Sequence, residues 1–202
     1  MPKEETRPTR GRPKTLARHH VLETAMMSYW MDGTKGVAIG EVCRRAGASK
    51  PGVYREFGSD DGLKEAVLDS YRSLVMVPMH DILARDEPFD QVLKALLTFT
   101  IQDRRLLGMP DGCLHAAMRA RRNEFGELTR AKVDALRQEM LDKYRSWIDR
   151  AKANGQFRTD IPTDVAAHYF DAQNGSAMRL QKEGVPNELI GDVLRLAFSS
   201  IQ

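Results

Sequence analysis

The segment from Glu41 to Leu63, EVCRRAGASKPGVYREFGSDDGL, holds the side chains best suited to meeting a nucleic acid. Tyr54, Arg55 and Glu56 follow directly on Gly52 and Val53, so a helix through this stretch has a small leading end that can approach base edges closely. Phe57 then returns to the core. Ser49 is placed as an N-cap whose hydroxyl accepts from a free amide, and Pro51 sits in the first turn, where its missing N–H costs nothing; this starts the helix near Lys50. Ahead of it, Ile39, Val42, Cys43 and Ala46 recur at helical spacing as one apolar stripe, with Glu41, Arg44 and Arg45 off it, and Gly47 supplies the turn. Two short helices about a glycine turn have the layout of a helix-turn-helix DNA reader.

A second set of reactive or polar side chains is spread over the rest of the chain. His80, Phe99, His115, Met118, Arg119, Trp147, Tyr169, Phe170 and Asn174 are the large or polar residues expected to wall a cavity between the middle helices, with Cys113 beside them. Arg119, Arg121 and Arg122 suit either an acidic ligand or a solvated charged face. Cys113 opens a helix; free amides there stabilise a thiolate, whereas Asp111 beside it works against one. Cys43 lies on the apolar stripe and reads as core. The marks of an enzyme are missing: there is no His-Glu-x-x-His, no glycine-rich phosphate loop and no nucleophile elbow, and no cofactor or metal set is expected.

The elements that must position these residues are all helical, because no segment alternates as a strand does. A helix from Leu16 to about Asp32 carries Val21, Leu22, Ala25, Met26, Tyr29 and Trp30 on its apolar face and ends at Gly33. Asp60 and Asp61 open the next long helix, with Leu63, Val67, Tyr71 and Leu74 along it until Pro78 interrupts. Further helices are expected at about Pro88–Leu107, from Cys113, at about Glu124–Ala153 with a break near Gly126, from a Thr163 or Asp164 cap, and from Pro186. The last two have wide apolar faces with small Ala166, Ala167, Gly175 and Ala177, suited to pairing two copies.

The chain has 202 residues and a net charge of +3, and the surplus is local: residues 1–75 hold 13 Lys or Arg against 10 Asp or Glu, and the remainder is balanced. The first 20 residues hold six basic side chains against two acidic ones in a stretch broken by Pro2, Pro8 and Pro13, which reads as a flexible basic arm. Within it Arg10 and Arg12 can lie in a narrow A·T-rich minor groove. No apolar run approaches the ~20 residues of a membrane span, and the N-terminus lacks the apolar stretch of a secretion signal, so a cytoplasmic protein with no membrane partner is expected. The organisation is a basic arm over 1–15, a helix-turn-helix head over 16–60, and a helical effector-binding and dimerisation body over 61–202.

Ala46-Gly47-Ala48-Ser49-Lys50-Pro51-Gly52-Val53-Tyr54, followed by Phe57, Ser59 and Leu63, resembles the signature of TetR/AcrR-type transcriptional regulators, as do Val21-Leu22, Ala25, Tyr29 and Gly33 before it. The resemblance covers roughly residues 16 to 68. It implies about nine helices, a homodimer on a palindromic double-stranded DNA operator, and relief of repression when a small-molecule effector enters the body. It also implies a DNA face of Lys50, Gly52, Val53, Tyr54 and Arg55, with Lys50 and Tyr54 on phosphates, Arg55 on a guanine edge, and Arg44 or Arg45 adding backbone contacts. Three positions depart from the pattern. Ala38 replaces a capping Thr or Ser, Thr34 replaces an aromatic, and Asp60 replaces a phosphate-binding Lys, which leaves Lys64, Lys35 or the arm to compensate. Asp111-Gly112-Cys113-Leu114 resembles a feature of a subset of these regulators whose cysteine reacts with electrophiles; a thiol sensor acting through Cys113, and a ligand-independent regulator, are the alternatives.

Overall fold

The computed structural model describes residues 18–199 and 201; Arg10, Arg12 and the expected helix start at Leu16 lie outside the described residues. The fold is all-helical, with no strand among them. In the head, α1 (Arg18–Gly36) and α3 (Lys50–Phe57) pack on α4 (Asp60–Tyr71), and α2 (Ile39–Arg45) packs on α1 and α3. The regular part of α1 ends at Gly33, whose φ of 77° suits a residue without a Cβ. Ile39, Val42 and Cys43 of the predicted stripe are buried, and α2 starts at Ala38 without a side-chain cap. Ser49 caps α3 by accepting from the Gly52 amide at 3.2 Å, and Ser59 caps α4 through the Gly62 amide at 2.9 Å.

α4 does not stop at Pro78. A π-helical stretch, Arg72–Met76, carries it directly into α5 (Val77–Leu83), so the helix widens by one residue just ahead of the proline that cannot donate. Counted this way, α4 and α5 form one rod. The body continues with α6 (Phe89–Ile101), α7 (Leu114–Ala120), α8 (Glu127–Ala153), α9 (Thr163–Lys182) and α10 (Asn187–Ser199). The helix expected to reach Leu107 stops at Ile101, because Gln102 is extended (ψ 145°), and a 3₁₀ turn, Arg104–Leu107, follows. Gly126 breaks the chain before α8, as its spacing predicted, and Asn154 and Gly155 close it. Neither Thr163 nor Asp164 caps α9; Thr163 Oγ1 donates to Asp149 and the Asp164 carboxylate is taken by Arg145.

α8 lies between α4 and α9, while α10 packs on α9 and α6. An aromatic stack fills the far end of the body: the Phe89 ring lies 4.6 Å from Trp147 and the Phe170 ring 4.7 Å from Phe198. Nearer the head, Trp30 of α1 meets Tyr71 of α4 edge-on at 5.0 Å.

Head and body are joined by polar clamps as well as by this apolar contact. The Asp61 carboxylate of α4 accepts from the Leu128 and Thr129 amides at 2.9 and 3.4 Å, supplying to the start of α8 a cap that its own Gly126 cannot provide. Farther along the same pair, Lys132 reaches Asp69 at 2.9 Å and Arg72 grips Glu139 through two bonds of 2.7 and 2.6 Å. Lys182 of α9 donates to the Trp30 and Met31 carbonyls at the end of α1, at 2.9 and 3.3 Å.

Candidate nucleic-acid interface and effector cavity

The exposed face of α3 consists of Lys50, Pro51, Tyr54, Arg55 and Glu56. Tyr54 is 43% exposed, a large value for an aromatic side chain, and Lys50 lies across α2, its Cε close above Gly40. Glu56 is occupied by Arg18 at 3.0 Å, and that guanidinium also sits over the Phe57 ring. This leaves Lys50, Tyr54 and Arg55 as the polar groups the helix presents.

Three residues expected to meet DNA are placed otherwise. Val53 is fully buried and Gly52 is buried beside it, because one side of so short a helix must pack on α2 and α4 to be held at all. Arg45 is drawn inward, donating to Asp32 at 2.6 Å, Glu41 at 2.7 Å and Ser28 at 3.0 Å, and so ties α2 to α1. Arg44 stays exposed while bonding Glu41, whose carboxyl these two arginines, Arg44 foremost, push down to about 2.

Lys64 is a fourth such residue. Instead of replacing the missing phosphate contact it is buried, paired with Asp60 one turn back and set over the Tyr29 ring at 5.7 Å. The negative charge at Asp60 is thereby offset within the head, and the lysine has no reach toward a phosphate. Lys35 is exposed at the end of α1.

Behind the head, the body encloses a cavity of about 50 Å³ bounded by α4, α5, α6, α7, α8 and α9. Of the residues predicted to wall it, Phe99, Cys113, His115, Arg119 and Asn174 do so. His80, Met118, Trp147, Tyr169 and Phe170 do not. Trp147 and Phe170 are consumed by the aromatic stack, Met118 is buried core, and Tyr169 donates to the Ala197 carbonyl at 2.7 Å. His80 is turned toward Glu139, with 3.4 Å between Nδ1 and the carboxylate, and its burial holds it below the usual histidine range.

Sequence reasoning missed Tyr71, Arg104, Asp171 and the methionines Met76, Met79, Met140 and Met178, which complete the wall. The methionines and Tyr71 sit at ordinary core spacing and carry no local mark of a cavity. Arg119, Arg121 and Arg122 are all paired: Arg119 with Asp171 at 2.9 Å, Arg121 with Glu124 and Thr34, Arg122 with Asp134. His115 is pinned by its Nε2 contact of 3.0 Å with the Val133 carbonyl, and burial pushes it below the ordinary range.

Cys113 is the N-cap of α7. Its Sγ accepts from the Ala116 amide at 3.3 Å and from the Tyr71 hydroxyl at 3.1 Å, so the thiol connects the start of α7 to α4. It borders both the cavity and a wider open groove of about 590 Å³ between α7 and α9.

Residues 21–67 match the family model for bacterial regulatory proteins of the tetR family. Over 104 residues the chain is 30% identical to the HTH-type transcriptional repressor BdcR of Escherichia coli; this covers 52% of the chain and spans about half, 53%, of that relative's length. Among solved structures it superposes on a cysteine-substituted CifR, a TetR family transcriptional regulator complexed with 26-base-pair operator DNA, with a TM-score of 0.80 at 23% identity, over 95% of this chain and all (100%) of CifR. The reduced form of Escherichia coli NemR superposes with a TM-score of 0.75 at 18% identity, over 92% and 97% of the two chains. Residues 21–67 thus resemble the tetR-family head, and the described chain has the fold of these solved regulators.

Proposed function

We propose that this protein is a ligand-responsive transcriptional repressor that binds a palindromic operator as a homodimer and is released by a small molecule entering the body. The observation that carries the reading is the α3 face: Lys50, Tyr54 and Arg55 exposed together on a Ser49-capped helix within a tetR-family head. Lys50 and Tyr54 bind phosphates and fix register; Arg55, with a planar fork of donors, reads a guanine edge. The basic arm, with Arg10 and Arg12, adds minor-groove contacts, which also serve in place of the phosphate ligand lost at Asp60.

Pairing of two copies runs through the last two helices. Val165 on α9 and Leu189, Val193 and Leu196 on α10 leave 58%, 53%, 42% and 76% of their surfaces exposed, and the three on α10 recur at helical spacing as one stripe. The small residues first expected there are mostly spent inside the protomer, since Ala166, Ala167 and Ala177 are buried. Release follows from the clamps: Tyr71 borders the cavity and also touches Trp30 of the head, so a ligand that shifts Tyr71 moves the rod that carries α3.

A second reading is favoured by Cys113. Modification of this thiol would break its bonds to Tyr71 and Ala116 together and so act on the same rod without a reversible ligand.

Selection of bound fragments from genomic DNA tests the proposal. A regulator of this kind enriches a short inverted repeat, occupied by two copies; recovery of fragments sharing no sequence would refute it.

A further inference from the structure

Arg104 is a buried charge with no anionic partner among the described residues. It is 2% exposed, and its Nε and Nη1 have no hydrogen-bond partner among the described residues. Its other terminal nitrogen, Nη2, meets the Met178 sulfur at 3.5 Å, and the guanidinium also lies beside the Tyr71 hydroxyl, so its polar neighbours are neutral groups. The guanidinium lies 6.0 Å from the centres of the Trp30 and Phe99 rings, whose faces attract a cation without neutralising it. The one acid of the cavity wall, Asp171, is taken by Arg119 at 2.9 Å and Arg137 at 3.8 Å. Asp103 and Asp111, the nearest acids in sequence, face Arg105.

An arginine cannot shed its proton, so a buried one without a partner anion is costly, and retaining it implies a negative group that arrives from outside. Arg104 borders the cavity, whose wall has an apolar part, Val75, Phe99 and four methionines, and a polar part that includes the paired Arg119 and Asp171. A volume of about 50 Å³ limits the ligand to a short-chain organic acid. We infer that the cavity takes a small monocarboxylate with an apolar tail, its carboxylate gripped by the Arg104 fork and its tail among the methionines. This rests on the reading of the cavity as the effector site and supplies the ligand's class. Because the Arg104 guanidinium lies near the Trp30 ring of α1, neutralising it acts on the junction with the head.

The test uses the full chain in buffer free of carboxylates, after selective operator binding has been established. Thermal unfolding and operator release are followed with acetate, butyrate, butyramide, butylamine and inorganic phosphate. Butyrate is expected to raise the melting temperature and release DNA, with acetate weaker and butyramide and butylamine without effect. In Arg104→Met the butyrate affinity falls at least about tenfold, the loss of a charge-assisted pair, whereas Arg105→Met, at the exposed neighbour, keeps it. If Arg104→Met does not fold, the comparison of butyrate with butyramide on the native chain decides alone.

Equal effects of butyramide and butyrate, no response to any carboxylate, or phosphate acting as well as butyrate would each overturn the assignment while leaving the regulator standing. Absence of selective DNA binding would instead remove the underlying reading.

Discussion

Replacing Asp61 with Ala should loosen the head from the body, and the size of the effect follows from what its carboxylate does. It accepts from two amides of α8, one at 2.9 Å and a weaker one at 3.4 Å, at the start of a helix of 27 residues that has no side-chain cap of its own. Loss of such a cap costs about 1 kcal/mol, and removing a carboxylate from the positive end of a helix adds about 0.3–1 kcal/mol. The Thr129 hydroxyl bond to the Asp61 carbonyl, at 3.0 Å, survives because it uses the backbone. A net loss of about 1.5–2 kcal/mol lowers the melting temperature of a chain this size by roughly 3–8 °C. Asp61→Asn keeps one acceptor for the Leu128 amide and should lose about half as much. Calorimetric or circular-dichroism melts at neutral pH read both variants. A melting temperature for Asp61→Ala within about 1 °C of wild type, against that scale, would show that α8 needs no cap from α4.

Other outcomes follow from the same geometry. Ser49→Ala removes the α3 cap and should cost about 1 kcal/mol in thermal or denaturant unfolding; no loss would mean that tertiary packing alone holds that helix start. His80 and His115 are both held below their ordinary value of 6.5, by burial first of all. The unfolded chain therefore binds more protons near and below that pH, so their stabilisation is complete above it and declines on acidification, by at most about 1.4 kcal/mol per pH unit for each. Melts at pH 7.5 and 5.5 check this: the lower pH should be less stable and His115→Gln should flatten the dependence, since the depressed carboxylates, whose ordinary values are 4.5 or below, act only in stronger acid. A profile equally steep in the variant counts against the histidine. Val193→Glu places a charge in the exposed α10 stripe and should shift sedimentation from dimer to monomer at micromolar concentration; an unchanged dimer would move the interface elsewhere.

The features that were legible in the sequence are those decided within a few residues. Ser49 caps because a hydroxyl before a helix start meets a free amide, and Gly33, Gly126 and the Asn154-Gly155 pair end or interrupt helices for backbone reasons. The break at Gln102 and the continuation through Pro78 were not legible, because a neighbouring π turn and the packing of α6 settle them. Side-chain direction was the commonest error. Val53 read as part of a bare tip, yet on an eight-residue helix it is the only strong apolar anchor before Phe57, so it goes inward. Lys64 and Arg45 read as free cations, but acids within reach, Asp60, Glu41 and Asp32, capture them. Arg104 had no local signal, standing in a run of polar residues; its burial is imposed by Trp30, Phe99 and Met178, which converge on it from three separate helices.

The central claim is that the α3 face reads DNA sequence, and it is tested most directly by titrating one selected operator and a scrambled duplex with native protein, Lys50→Ala and Arg55→Ala. The account predicts that Lys50→Ala weakens both duplexes alike, whereas Arg55→Ala costs about 1–3 kcal/mol on the operator and erases preference at one base pair of each half-site. Undiminished operator preference in Arg55→Ala, or equal binding of operator and scrambled duplex by the native protein, would contradict it.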